Sequence, residues 1–582
     1  MLSNRESKGA GLWRVVFPQQ RVLAIMIALL FFCTLPSALV VAASEQPAPA
    51  HSVDKEYFDI LKSIDLLGEV YREVSSNYVD TINVSGLMYA GIDGMLRTLD
   101  PYTVFLDAND SDELDELTSG QYVGIGISIA SIDGSVFVTS VVDGYPAAKA
   151  GIKVGDNIVT INNRRVRKMS LEEVKVLIKG PAGSLLTLQL ERQGSSSLSV
   201  RLLREEIRVS AVSYSGILGG SGYIEMKSFG TRSADDVREA FQGLLRQASD
   251  QHIPLKGIIL DLRNNPGGLL NVAVDVASLF VSNGSEVVSI RGRSPEMTKS
   301  YVTGTPPLDA ALPLVVLING QSASAAEIVA GAMQDLDRGV IIGERSYGKG
   351  LVQSVIRISY NTSLKVTTSK YYTPSGRLIQ KEANNAVSES RKVLPKAQGD
   401  KASEVFFTKG KRKVYGGGGI MPDIQLSEPV SSPYFSALSK KGLLFLFSSD
   451  YCVTHPVIPS QPLDRPALLA SFADFLHSKK FDYTSDSEQR LNELKESIKK
   501  VQPANTESVL QDLSALQQKI DQLKEQEILK ESGNVAEALE VEILRHYNER
   551  MARTAELERD PAVTKAIELF SDSRSYSRIL HP

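Results

Sequence analysis

Apolar residues Ile60, Ile64, Leu67, Tyr71 and Val74 recur at spacings of four, three, four and three, the stripe of one amphipathic helix. The pattern changes after residue 124. Short β-branched runs at 136–142, 157–161 and 185–190 surround one helix-like stretch at 170–178, with Glu172 and Glu173 in its first turn. About ninety residues, from Gly124 to Arg204, therefore read as a small mostly-β module. Continuous apolar runs follow at 257–262, 314–319 and 339–343, separated by helical patterns at 271–280 and 325–333. Runs without alternation, joined by helices, indicate strands buried on both faces of an α/β sheet. Residues 382–405 are polar and irregular, a loop or insertion. Beyond Pro429 the chain turns helical, and Val509, Leu513, Leu516, Ile520 and Leu523 keep heptad spacing. That stripe covers only about two heptads, which predicts a helical hairpin rather than a long coiled coil.

Composition narrows the class. A chain of 582 residues has room for about four structural units, and 42% apolar with 23% charged residues is a globular composition. The net charge of −4 supplies no polybasic field for nucleic acid. Cys33 and Cys452 are the only cysteines, which excludes a disulfide scaffold and a cysteine zinc site. Arg5, Lys8, Arg14 and Arg21 precede the apolar run 22–33, and Ala42-Ala43-Ser44 follows, the order of an export signal. A retained anchor is the alternative, since 22–43 could just span a bilayer; Pro36 and the small residues favour cleavage. Phe31 and Phe32 before Cys33 do not suit a lipidation site. Residues 44–50, Ser-Glu-Gln-Pro-Ala-Pro-Ala, form a linker.

The chemistry has few places to reside. The histidines, His51, His252, His455, His477, His546 and His581, stand beside no nucleophile elbow and in no zinc-protease pattern. After the second apolar run, the small residues of 319–326 lead from strand to helix and place Ser324 at the helix N-terminus. There its hydroxyl meets the positive end of the helix dipole, and the Ala325 N–H can face a developing oxyanion. A helix cap at Ser322 or Ser324 explains the same residues. The next loop holds Lys349 between Gly348 and Gly350, at the end of a buried strand. Burial that lowers a lysine by roughly 3 units from about 10.4 turns it into a base near neutral pH. Gln353, four residues on, could orient it, completing a Ser-Lys arrangement.

These residues sit within a longer set of ordered motifs. They are Leu99-Asp100-Pro101-Tyr102, Gly124-Ile125-Gly126, Pro146-Ala147-Ala148-Lys149-Ala150-Gly151-Ile152, Gly155-Asp156 and Leu262-Arg263-Asn264-Asn265-Pro266-Gly267-Gly268. Ser322-Ala323-Ser324-Ala325-Ala326-Glu327, Gly348-Lys349-Gly350 with Gln353, Tyr372-Thr373-Pro374-Ser375-Gly376 and the run from Tyr415 through Gly416–Gly419 to Asp423 complete the set. With them the chain, over about residues 55–425, resembles the carboxyl-terminal processing peptidases, or tail-specific proteases, exported Ser/Lys endopeptidases that need no metal or other cofactor.

The resemblance implies an α/β catalytic core of the crotonase/Clp-protease type with an inserted PDZ domain, to which the apolar periodicity adds an N-terminal helical segment and a C-terminal helical domain. It makes Ser324 the nucleophile, Lys349 the general base and Gln353 its positioning residue. The oxyanion donors fall to Gly267 or Gly268 together with Ala325. Val123, Gly124, Ile125, Gly126 and Ile127 become the loop that binds a peptide's terminal carboxylate, in a pocket made apolar by Ile125 and Ile127. Lys179 occupies a position that the family associates with coupling ligand state to activity. The expected boundaries are 1–43 signal or anchor, 44–118 linker and helical segment, 119–205 PDZ domain, 206–428 catalytic domain and 429–582 helical domain. The expected partners are proteins with free apolar C-termini. The C-terminal helices lie outside the resemblance, and dimerisation or adaptor docking is the role open to them. The location is the periplasm or cell envelope, with or without an inner-membrane anchor.

Overall fold

The computed structural model describes residues 51–192, 197–381, 404–427, 431–458, 463–501 and 506–581. The export segment and nearly all of the 382–405 insertion lie outside these residues. No described helix is long and apolar enough to cross a membrane. Two compact units divide after residue 88. In the first, the helix His51–Asn77 carries the predicted stripe, and the Tyr71 hydroxyl donates to the Val84 carbonyl at 2.9 Å. Ile64 and Leu67 remain exposed.

The second unit is built on a six-stranded sheet in the order Val212–Leu218, Ser221–Met226, Ile258–Asp261, Leu314–Ile318, Val340–Gly343 and Ile424–Gln425. All neighbours after the first pair are parallel. The three continuous apolar runs are its central strands, and all of their side chains are buried. Helices Ser233–Asp250, Leu270–Ser278 and Ala325–Asp335 cover one face through Phe241, Val276, Ile328 and Val329. The other face is covered by the last helices of the chain, Glu549–Leu557, Pro561–Ser571 and Ser573–Leu580, through Leu557, Val563, Ala566, Phe570 and Leu580. The end of the chain, which the sequence reading grouped with the C-terminal helical domain, thus supplies the second helical layer of the catalytic sheet. Tyr576 anchors it, its hydroxyl bonding both the N–H and the carbonyl of Leu314 at 2.9 Å.

A second, antiparallel sheet joins Val104–Leu106, Leu351–Arg357, Ser363–Tyr372, Glu286–Gly292 and Lys299–Val302. It brings the segment that precedes the β module to the strands that follow Lys349. The module has an apolar core of Val136, Ile158, Val174, Leu186 and Leu188. Its helix Leu171–Ile178 begins at a reciprocal cap, with the Glu173 N–H donating to the Ser170 hydroxyl and the Ser170 N–H to the Glu173 carboxylate. Ile127–Ile132 is an edge strand of its sheet.

Along the chain, between the catalytic strands and the last helices, comes a helical body with a core of Leu438, Phe447, Phe472, Leu539 and Ile543. There Asp486–Val501 and Thr506–Tyr547 form the predicted hairpin, closed by Lys524 on Glu488 at 2.9 Å. Leu513 and Ile520 are buried against Leu491 while Leu516 and Leu523 are exposed, so one residue per heptad faces the partner helix. Phe137 of the β module packs edge-on to Phe445 of this body, with ring centroids 5.9 Å apart.

Candidate active site

Ser324 ends the turn from strand Leu314–Ile318 and immediately precedes the helix Ala325–Asp335. Its φ of 55° and ψ of −115° are unusual for a residue with a side chain, and such a conformation costs about 1–3 kcal/mol that the surroundings must over-determine. They do. The Ser322 hydroxyl, fully buried, donates to the Leu262 carbonyl at 2.8 Å and accepts from the Asn319 N–H at 2.9 Å. The Ala323 N–H donates to the Asn265 carbonyl at 3.0 Å. Ser322 is thereby an architectural residue, and Ser324, half-buried, is the serine the turn presents.

Glu327 lies one helical turn below Ser324 and is fully buried. Oε2 accepts the Ser324 and Lys349 N–H groups, each at 2.9 Å. Oε1 accepts the Ser346 hydroxyl at 2.6 Å and the Gly348 N–H at 2.7 Å. Burial pushes its carboxyl up to about 6 against the pull of these four donors, so it is ionised at neutral pH. A second bridge is the buried Tyr371, whose hydroxyl bonds the carbonyls of Lys349 and, at 3.2 Å, Ser324. The backbones of the serine turn and the lysine loop are therefore held by the same two side chains.

Lys349 lies in the loop between Val340–Gly343 and Leu351–Arg357. Burial, reinforced by the cation of Lys365, brings its ammonium down to about 8, with Glu327 and Asp100 acting in the opposite sense. The direction is the one read from the sequence; the Lys365 contribution was not foreseen. Its Nζ sits 4.8 Å from the ring centroid of Tyr102. Among the described residues no hydrogen bond joins Lys349 Nζ to the Ser324 hydroxyl, and the Gln353 amide nitrogen donates to Thr367 Oγ1 at 3.3 Å. The glycine run after Tyr415 supports this loop from beneath: a Cβ on Gly419 would lie 2.5 Å from the Ser346 carbonyl oxygen, and the Ile420 N–H donates to the Ser346 hydroxyl at 2.6 Å.

The Asn-Pro-Gly-Gly turn packs on the serine. A Cβ on Gly267 would approach the Ala325 nitrogen to 2.8 Å, and one on Gly268 would approach the Phe229 carbonyl oxygen to 2.4 Å, so neither position admits a side chain. The Gly267 N–H is taken by Asn265 Oδ1 at 2.8 Å. Phe229 pairs with the Gly267 carbonyl and the Leu269 N–H, a parallel bridge that turns the intervening Gly268 N–H the other way.

In the β module, Gly124, Ile125 and Gly126 are buried and the Ala147 N–H donates to the Ile125 carbonyl at 3.0 Å. The Ile125 side chain belongs to the module's core rather than to a pocket wall; Ile127, on the edge strand, is half-buried. Val123 pairs with Glu206. Lys179 forms an ion pair with Glu116 of helix Ala108–Ser119, outside the module's six-stranded sheet. Among the described residues no group of three or more His, Cys, Asp or Glu could hold a metal ion. Glu327, Tyr371, Tyr102 and Lys365 were not singled out as site residues from the sequence. Glu327 alone had a local signal, its place three residues after Ser324, and that signal reads equally as a helix cap.

The strained serine turn, the loop of a lysine of lowered basicity and a PDZ-like module lie in the same unit, and the comparisons with known proteins give the class, a serine-type peptidase. The model of peptidase family S41 matches residues 220–387, the PDZ domain model residues 114–191, and the model of the probable PDZ-protease C-terminal helical domain residues 434–570. The carboxy-terminal-processing protease of Bartonella bacilliformis is 38% identical over 320 residues, 55% of this chain and 73% of that protein. The carboxy-terminal processing protease CtpA of Bacillus subtilis is 32% identical over 320 residues, 55% and 67% of the two chains. The solved photosystem II D1 C-terminal processing protease is 29% identical, with 62% and 92% covered and a TM-score of 0.32. The chain belongs to the carboxy-terminal processing protease family.

Proposed function

We propose that this chain is an exported endopeptidase that captures unstructured C-terminal tails on its PDZ domain and cleaves the protein upstream of them with Ser324 and Lys349. The observation that carries the reading is the pair of bridges, Glu327 and Tyr371, that fasten the serine turn to the loop of a buried lysine of lowered basicity. Neutral Lys349 takes the Ser324 proton as Oγ attacks the scissile carbonyl. The lysine ammonium then protonates the departing amine, and water, deprotonated by the same Nζ, releases the acyl group from Ser324. Ala325 and Gly268 donate to the oxyanion, because the Gly267 N–H is already engaged. Gln353 aids Lys349 from the adjacent strand. The hydrogen bond between the Ser324 hydroxyl and the Lys349 amine, absent among the described residues, forms when substrate binds.

The catalytic body comprises 206–428, following 1–43 as signal or anchor, 44–118 as the N-terminal segment and 119–205 as the PDZ domain; of the helical part 429–582, the stretch after 548 acts with the sheet. The tail adds as a strand to Ile127–Ile132, beside helix Leu171–Ile178, with its carboxylate on the N–H groups of the Val123–Ile127 loop. Ile127 supplies the apolar wall. The helical body docks an adaptor or a second copy. Amidating a substrate's C-terminus removes charge-assisted bonds of roughly 1.5–3 kcal/mol. Cleavage of one protein with a free apolar tail, the same tail amidated, and a tail ending in Asp-Asp is expected to fall about tenfold or more in the second and third. Equal cleavage of all three would contradict tail capture.

A further inference from the structure

We propose that Tyr102 is a positioning residue for the reaction: its ring roofs the Lys349 amine, keeps water from it, and receives it again when it becomes an ammonium. The proposal rests on the reading of Lys349 as the base and assigns a role to Leu99-Asp100-Pro101-Tyr102 that the motif alone did not reveal.

The segment is built to hold the ring in place. The Asp100 carboxylate accepts the Tyr102 and Thr103 N–H groups, both at 2.8 Å, and the Thr103 hydroxyl at 2.9 Å. Thr103 Oγ1 in turn accepts the Thr367 N–H at 3.1 Å. The next residues, Val104–Leu106, pair with Lys365, Leu364 and Ser363. Residues 100–106 are thus fastened to one strand, and Gln353, on the strand beside it, bonds the same Thr367 through its side chain. The ring that results has its centroid 4.8 Å from Lys349 Nζ. At its far end the phenol, raised well above the usual range by burial and by its hydrogen bond to Tyr347, stays neutral throughout the working pH range.

A ring suits this position better than a carboxylate. The base must be neutral when Ser324 gives up its proton and charged when the amine departs. A carboxylate at the Tyr102 position would hold the proton on Lys349 in both steps. An aromatic face excludes water, which favours the neutral amine, and still offers the transient ammonium a weak electrostatic partner. The other charged groups acting on Lys349 are Lys365, which favours the neutral amine, and Glu327 and Asp100, which favour the cation. Burial keeps the nearby phenol of Tyr371 neutral. Exclusion of water is the largest influence on the amine, so opening the roof is expected to return Lys349 toward ordinary lysine behaviour.

The test is the pH dependence of kcat/KM for the full-length chain on a tail-bearing protein substrate, from pH 6 to 10. Tyr102→Ala is expected to move the rising limb alkaline by about one unit or more and to reduce the rate at pH 7.5 about tenfold. Tyr102→Phe is expected to keep the wild-type profile. Should the alanine variant fold poorly by thermal melting, Tyr102→Gln fills the space with a wettable group and is expected to shift the profile in the same direction. A profile unmoved in both the alanine and glutamine variants, or moved as far by phenylalanine as by alanine, overturns the proposal. Lys349→Ala separates the two claims. If it is inactive while the Tyr102 variants are unshifted, only the role of Tyr102 falls. If it retains the wild-type rate, the base assignment falls and the role of Tyr102 with it.

Discussion

Ser324→Ala is expected to lower turnover by about 10⁶-fold, the scale on which a serine peptidase loses activity when its nucleophile is removed, while the fold is retained. Ser322→Ala, two residues away, is expected to do the reverse. Its hydroxyl joins the Leu262 carbonyl to the Asn319 N–H inside the turn, so its removal breaks two buried hydrogen bonds, each worth about 0.5–1.5 kcal/mol. Hydrolysis should persist at a temperature well below the lowered Tm. Steady-state kinetics and thermal melting of both variants check the pair of outcomes. An inactive Ser322→Ala with normal melting, beside an active Ser324→Ala, would assign the nucleophile to the wrong serine.

The second large effect is expected at Glu327. Glutamine matches glutamate in size but replaces one acceptor oxygen with an amide that donates. Whichever way that amide turns, it faces at least one backbone donor that cannot turn away: the Gly348 N–H beside the Ser346 hydroxyl, or the N–H groups of both Ser324 and Lys349. Each buried donor left without an acceptor costs about 1–3 kcal/mol. Relaxation of that strain would also displace the serine and the lysine relative to one another, and misplacement of about an ångström costs on the order of 10²-fold in rate. Glu327→Gln should therefore lose both Tm and kcat, with kcat falling at least about 100-fold at a temperature where the variant is folded. A glutamine variant with wild-type kcat would show that the carboxylate only caps its helix.

The catalytic sheet was legible because its strands are short, continuously apolar and bounded by helical periodicity; nothing competes with that pattern over 257–262, 314–319 and 339–343. The positions of Ser324 and Lys349 were legible for a related reason: each follows one of those strands, where loops carry chemistry. The rest of the site depends on contacts between distant segments. Tyr371 and Lys365 lie on a strand whose register no local pattern announces, and Tyr102 reaches Lys349 only through the pairing of Val104–Leu106 with that strand. The last helices show the same limit. The apolar faces of Pro561–Ser571 and Ser573–Leu580 read as amphipathic whether they meet other helices or the sheet, and only the fold places Phe570 and Tyr576 against the strands. Ile125 misled for a simpler reason: beside a glycine loop an apolar residue can face a ligand or the core, and periodicity does not distinguish them.

The most direct test of the Ser324/Lys349 pair is the rate at which a fluorophosphonate labels the protein between pH 6 and 10, with the modified residue located by mass spectrometry in the wild type and in Lys349→Arg. Lys349 is protonated below about 8 and neutral above it, so labelling of Ser324 should rise about tenfold per unit at low pH and level off above about 8. Arginine keeps the positive charge and cannot release the proton, so Lys349→Arg should label at a small fraction of the wild-type rate across the whole range. A pH-independent rate, an adduct on a residue other than Ser324, or an arginine variant that labels as fast as the wild type would contradict the pair.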